Sequence, residues 1–292
     1  MDYFQQKINQ WSDWQVLSQN AEAFEPLIKQ IYLSENKPFK TPEVEADPLT
    51  AVFTVGTTQI AIFPPSNVLP ETREYYQTER FSLTRMSRLQ LGAPKLLHAG
   101  FIFDAYQFYY VIYQPLQGVS LTNFILTAEP LAKSTLGRQI GTLLNQLNGE
   151  VATFSQIAEP AADWNVFGSE FVTARTAWLA AHPTTPNCFI HGNLIGENFI
   201  VTSGQLGVRH FSTAHQGFRQ AELVPIILKA FDNEPDLLAG FKDTYQTASL
   251  ADDLLVGLLV RADGPDQIRA LLGGQAVDWE TLRERLGQLL GD

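Results

Sequence analysis

The chain is short of cysteine, of basic charge and of long apolar runs, and each shortage closes off a class of protein. A single cysteine, Cys188, cannot form an intrachain disulfide, so nothing calls for an oxidising compartment. It stands in an apolar run and reads as core filler rather than as a nucleophile. Twenty basic residues against 31 acidic ones leave a formal net charge of −11, which repels phosphate backbones and argues against nucleic acid as a partner. The apolar stretch from Tyr106 to Leu116 is too short and too polar to span a bilayer. The opening residues, Met1-Asp2-Tyr3-Phe4-Gln5, lack a basic region followed by an apolar core. A cytoplasmic protein with no membrane partner is the expectation. Linkers rich in Gly or Ser, repeats and low-complexity tracts are missing too, as are a Gly-x-Ser-x-Gly elbow and a Gly-x-Gly-x-x-Gly dinucleotide fingerprint. His98, His182 and His215 have no metal-ligand spacing, and the five-residue step from His210 to His215 is a weak zinc signal.

What is present suits a globular protein with two cores. The chain has 292 residues, 45% hydrophobic and 17% charged. Phe24, Leu27, Ile28, Ile31 and Tyr32 follow helical spacing behind a candidate cap, Asn20, and residues 34–48 read as a polar connection. Strands are expected at 51–55 and 59–63, a helix over 70–91 and a buried strand at 108–113. After Gly118 the pattern turns mostly helical: 121–126, 132–147, a helix holding Val172, Trp178 and Leu179, then 221–231, 237–245, 250–260 and 279–290.

One segment, 188–211, interrupts those helices and reads as strand, loop, strand, turn, strand. It contains His191-Gly192-Asn193, then Asn198 five residues after Asn193, then Arg209-His210-Phe211. Glu222-Leu223 follows, Glu222 lying twelve residues beyond His210. This pattern resembles the aminoglycoside phosphotransferase superfamily, which includes choline, fructosamine and methylthioribose kinases. Further upstream, Gln59 to Pro65 resembles the strand that supplies the ATP-phosphate lysine in that superfamily, with Ala61 at the lysine position. Glu79, fifteen residues before Pro94, falls where relatives place the helix glutamate that pairs with the lysine. Val111 to Gly118, including Gln114, resembles the hinge between lobes, and residues 136–148 the long helix after it.

The resemblance implies an α+β, two-lobed protein-kinase-like fold. A small mixed β/α lobe would span 1–114 and a larger helical lobe 115–292, with the catalytic-loop-like hairpin at 188–211. It also implies a cleft in which Asn193, Asn198 and His210 converge, with His191 buttressing the loop. Where relatives carry a catalytic aspartate, this chain has Asn193, whose amide is not a base at neutral pH. Loss of a positioned general base costs about 10²–10⁴ in rate. At the position of the metal-binding aspartate stands His210, although magnesium wants hard oxygen ligands. Ala61 removes the cation that would meet the phosphates, leaving Glu79 either to pair with Arg80 or Arg85 or to stand as a solvated helix carboxylate. Residues 43–50 ahead of the strand at 51–55 contain three acids and no glycine, so no phosphate-cradling loop is evident.

These departures point to a binding or regulatory pseudokinase whose ligand is an unspecified small molecule or protein, with no cofactor. The alternative is an active phosphotransferase acting on a small-molecule hydroxyl group of a metabolite, amino sugar or aminoglycoside, and ATP and magnesium belong only to that alternative. Asn198 would then help hold the metal. Between the two lies binding of a hydroxyl- or amine-bearing metabolite without nucleotide.

Overall fold

The computed structural model describes residues 3–155, 157 and 161–291. By their contacts they fall into two compact units. The first runs through Leu116 and also takes in His210–Ser212; the second comprises Gln117–Arg209 and the chain from Thr213 onward.

The first unit is built on helices α1 (Trp11–Leu17), α2 (Ala21–Ser34) and α3 (Thr72–Arg88), with strands β1 (Glu43–Glu45), β2 (Ala51–Val55), β3 (Thr58–Ile62), β4 (Lys95–Phe103) and β5 (Gln107–Gln114). The strands make one antiparallel sheet in the order β1-β2-β3-β5-β4. Successive side chains point to opposite faces, so β2, β3, β4 and β5 each feed two cores. Phe53, Val55, Ile60, Ile62 and Phe108 pack with Trp14, Phe24, Leu27 and Ile31 of α1 and α2. Val52, Ala61, Val111 and Tyr113 face the other way and pack with Tyr76 of α3. Asn20 does cap α2, its side chain accepting from the Ala23 N–H.

Two strands of this sheet were not legible. β1 lies inside the expected connection 34–48; its three residues pair with Val52–Thr54 but carry one apolar side chain, too few to show alternation. β4 carries a register shift between Leu96 and His98 and a glycine in its middle, Gly100, over which the Tyr110 ring packs so closely that a Cβ would sit 2.7 Å from its hydroxyl.

The second unit contains β6 (Val119–Ser120), α4 (Leu121–Thr127), α5 (Pro130–Leu147), α6 (Gly168–Ala181), β7 (Cys188–Ile190), β8 (Phe199–Thr202), β9 (Gln205–Val208) and β10 (His215–Gly217). A short α7 (Leu223–Pro225) then leads to α8 (Pro235–Thr244), α9 (Leu250–Val260), α10 (Gly264–Leu272) and α11 (Trp279–Leu290). Strands β6, β8 and β9 form one small sheet and β7 with β10 another. Helices α5 and α8 cross at backbone contact: a Cβ on Gly240 would fall 1.9 Å from the Ser134 carbonyl oxygen. The expected helix 221–231 is broken instead into a 3₁₀ turn, α7 and a wide π turn at Ile226–Ala230. Pro225 explains the break, because it has no N–H for the regular ladder. Among the described residues no helix is long and apolar enough to cross a membrane.

Candidate functional site

The 188–211 segment and its partners are built in two separate places. In the second unit, β7 pairs with β10 and delivers the chain into His191, which is fully buried. The N–H groups of His191 and Gly192 donate to the Glu222 carboxylate at 2.5 and 3.1 Å. Burial pushes the Glu222 carboxyl up, opposed by those two donors and by nearby His215 and Arg261. The His191 ring lies 3.0 Å from the Arg209 carbonyl through Nε2, while Nδ1 accepts from the Asn193 N–H at 3.3 Å. Those two contacts require the proton on Nε2. Gly192 has φ +85°, and a Cβ there would meet the Thr213 carbonyl oxygen at 2.9 Å, so the turn needs glycine.

The rest of the loop is stapled in the same way. The Asn198 side chain, buried, donates from Nδ2 to the Asn193 carbonyl at 2.8 Å, and the Asn198 carbonyl accepts from the Arg209 N–H at 3.0 Å. Among the described residues the Asn193 carboxamide makes no hydrogen bond of its own; only its backbone is engaged. The loop thus presents a half-buried amide on a rigid frame. An amide there can orient a hydroxyl or an amine but cannot take its proton.

The second place is in the first unit. His210 adopts φ +64°, a left-handed conformation uncommon for a residue with a side chain. Its Nδ1 lies 2.9 Å from Oδ2 of Asp47, in the loop between β1 and β2. The other oxygen, Oδ1, accepts from the Leu49 N–H at 2.9 Å, the Thr50 N–H at 2.6 Å and the Thr50 hydroxyl at 2.9 Å. Trp14 of α1 donates its indole N–H to the Leu49 carbonyl at 2.9 Å, pinning the same loop from another side. Asp47 is only 7% exposed. Burial pushes its carboxyl up, but His210 and the Thr50 and Leu49 N–H groups more than offset this and hold it below the usual range.

Glu79 corrects the solvated reading: it is 8% exposed on the inner side of α3. Its neighbours are the Asp47 carboxylate and the Phe211 N–H, which donates to it, with no cation among the groups that act on it. Burial first, and Asp47 second, push its carboxyl up to about 8. At neutral pH Glu79 is therefore predominantly a neutral acid. Ala61, at the expected lysine position, is 6% exposed and fills an apolar cluster with Val52, Phe63, Tyr76, Val111 and Tyr113. Gln114 ends β5 opposite Lys95 with its side chain exposed.

Position 61 presents a methyl group inside an apolar cluster. The His210 imidazole is paired with Asp47. Among the described residues no three His, Cys, Asp or Glu side chains are arranged to hold a metal.

No family model matches the chain, and no curated protein does either. Solved structures do. The GDP complex of wild-type aminoglycoside 2'-phosphotransferase-IIIa is 15% identical, with 94% of this chain and 98% of that one covered at a TM-score of 0.59. Amicoumacin kinase, solved with AMP-PNP, calcium and amicoumacin, is 13% identical over 90% and 93% of the two chains, at 0.56. Choline kinase LicA from Streptococcus pneumoniae is 14% identical over 92% and 99%, at 0.53. The chain has the two-lobed, kinase-like α+β fold. Identities this low carry the fold alone.

Within that kinase-like fold, two residues at the site escaped sequence reasoning. Asp47 was visible only as one of three acids expected to repel phosphate, and Trp14 was not singled out. The available signal was paired: an acid in a glycine-free loop and an imidazole at a metal position, 163 residues apart.

Proposed function

We propose that this protein is a binding or regulatory relative of the small-molecule kinases that carries out no phosphotransfer. The observation that supports this reading is the Asp47–His210 pair. It puts a carboxylate, held by three further hydrogen bonds, against the residue that would have to hold the metal. Phosphoryl transfer depends on positioning and on neutralising phosphate charge, and this cluster adds negative charge where positive charge is required. The loop around Asn193 keeps its frame, so the ligand we favour is a small hydroxyl- or amine-bearing molecule, or a protein, recognised without nucleotide. We place the protein in the cytoplasm, with neither nucleic acid nor membrane as partner.

The second reading, an active ATP-dependent small-molecule phosphotransferase, draws on the intact Glu222–His191–Asn198 framework. Thermal unfolding with millimolar ATP and magnesium separates the two. A ligand at a hundred times its dissociation constant stabilises a fold by about 2.7 kcal/mol. We expect no magnesium-dependent rise in Tm; a rise of several degrees would favour the second reading.

A further inference from the structure

The outer face of α3 concentrates arginine on an acidic chain. Four of the twelve arginines, Arg73, Arg80, Arg85 and Arg88, stand on its seventeen residues. Helical spacing sorts the positions into two adjoining rows, the exposed Arg80–Thr84–Arg88 and a second of exposed Phe81, half-buried Arg85 and the exposed cap residue Leu89. Together these six line a groove of about 390 Å³. Phe81 and Leu89 are each 37% exposed, whereas Tyr76, Glu79, Leu83 and Met86 occupy the buried side of the helix. Among the described residues neither Arg80 nor Arg88 forms an ion pair; Arg80 lies over the Tyr76 ring, 5.7 Å from its centroid.

We propose that this groove docks an acidic segment of a partner protein, with carboxylates on Arg80 and Arg88 and one bulky apolar side chain between Phe81 and Leu89. Charge complementarity selects the occupant. Guanidinium groups bind carboxylates through paired N–H donors, and arginines flanking an apolar floor are the composition of interface hot spots. The volume admits an anchor of one or two side chains rather than a whole helix face. An anionic membrane fits less well, because a net charge of −11 repels it from the rest of the surface. This inference does not depend on whether nucleotide binds.

The test uses the full chain and a fluorescein-labelled peptide of about twelve residues, Glu and Asp around a central Phe and Leu. Fluorescence anisotropy should give saturable binding with a Kd below about 1 mM, weakening as salt is raised. The Arg80→Glu, Arg88→Glu double variant should weaken it at least about tenfold, and Phe81→Ser should weaken it too. Amide shifts induced by the peptide in the unmodified protein should centre on residues 80–89, a readout that survives misfolding of any variant. Four outcomes overturn the proposal: no saturable binding, equal binding of the Gln/Asn version of the peptide, shifts centred elsewhere, or charge reversal without effect. Binding to phosphatidylserine vesicles in place of the peptide, or self-association abolished by the double variant, would likewise replace the acidic partner with a membrane or a second copy.

Discussion

The cluster in the second unit and the cluster in the first are held together by different kinds of bond. In the second unit Glu222, His191, Gly192 and Asn198 hold the loop by side chain to backbone bonds, with the Asn193 amide on it. In the first unit charged groups meet: the His210 imidazole pairs with a carboxylate from the β1–β2 loop, while position 61 is a methyl group in an apolar cluster. The difference teaches that one cluster depends on satisfying buried backbone groups and the other on charge, and hence on pH. Bonds that satisfy buried backbone groups are expensive to lose whatever the protein does, because an unpaired buried N–H costs about 1–3 kcal/mol.

The sharpest way to break this comparison is to remove the scaffold. Glu222→Ala should destabilise the protein by about 3–5 kcal/mol, since it orphans the His191 and Gly192 N–H groups in a fully buried position. A chemical-denaturation loss below about 1 kcal/mol would mean that the loop does not depend on it.

Asp47→Ala should cost less, about 2 kcal/mol, because His210 is partly exposed and can turn to water. The sign with pH follows from the depressed carboxyl. Its contribution is present above the usual aspartate range and fades as pH falls through the lower folded value, so Asp47→Ala should flatten the acid limb of the stability curve.

Glu79 sharpens the contrast in the opposite pH direction. A carboxyl raised to about 8 in the folded state favours folding fully below its unfolded value of 4.5, and that contribution is lost as pH rises through 8. Glu79→Gln keeps the neutral form and still accepts from Phe211. It should match the parent near pH 5 and exceed it by about 1–2 kcal/mol at pH 9. Melting curves that stay parallel across that range would show that Glu79 is ionised throughout.

Asn193→Asp should change stability least, within about 0.5 kcal/mol, because the side chain has no partner to lose among the described residues. Alone it should restore no ATP turnover. Rewiring the first unit is the informative step. His210→Asp with Ala61→Lys leaves three carboxylates facing one another unless Asp47 is removed as well. The triple change adding Asp47→Gly should therefore gain magnesium-dependent ATP binding where the double change does not, as calorimetry would show. Equal binding by both would take Asp47 out of the argument.

Much of this was legible along the chain. The spacings of His191, Asn193, Asn198, His210 and Glu222 survive because each residue occupies a fixed place on a hairpin or turn, and local geometry writes itself into local sequence. Helices 250–260 and 279–290 were read to the residue because apolar periodicity is strong there and caps at Ser249 and Asp278 mark their starts. Asp47, Trp14 and the burial of Glu79 were not legible. Each depends on which groups from distant parts of the chain meet in three dimensions, and a carboxylate in a sequence carries no sign of its neighbours.

The sequence by itself determined which residues stand at 61, 193 and 210: an alanine, an asparagine and a histidine. Only the tertiary structure decided what the charged groups meet. Folding brings Asp47 within 2.9 Å of His210 and shuts Glu79 away from water beside it, so that one carboxyl is held ionised and the other predominantly neutral. The physical reason is that protonation follows solvation and neighbouring charge, and both are properties of the packed chain rather than of the residue type.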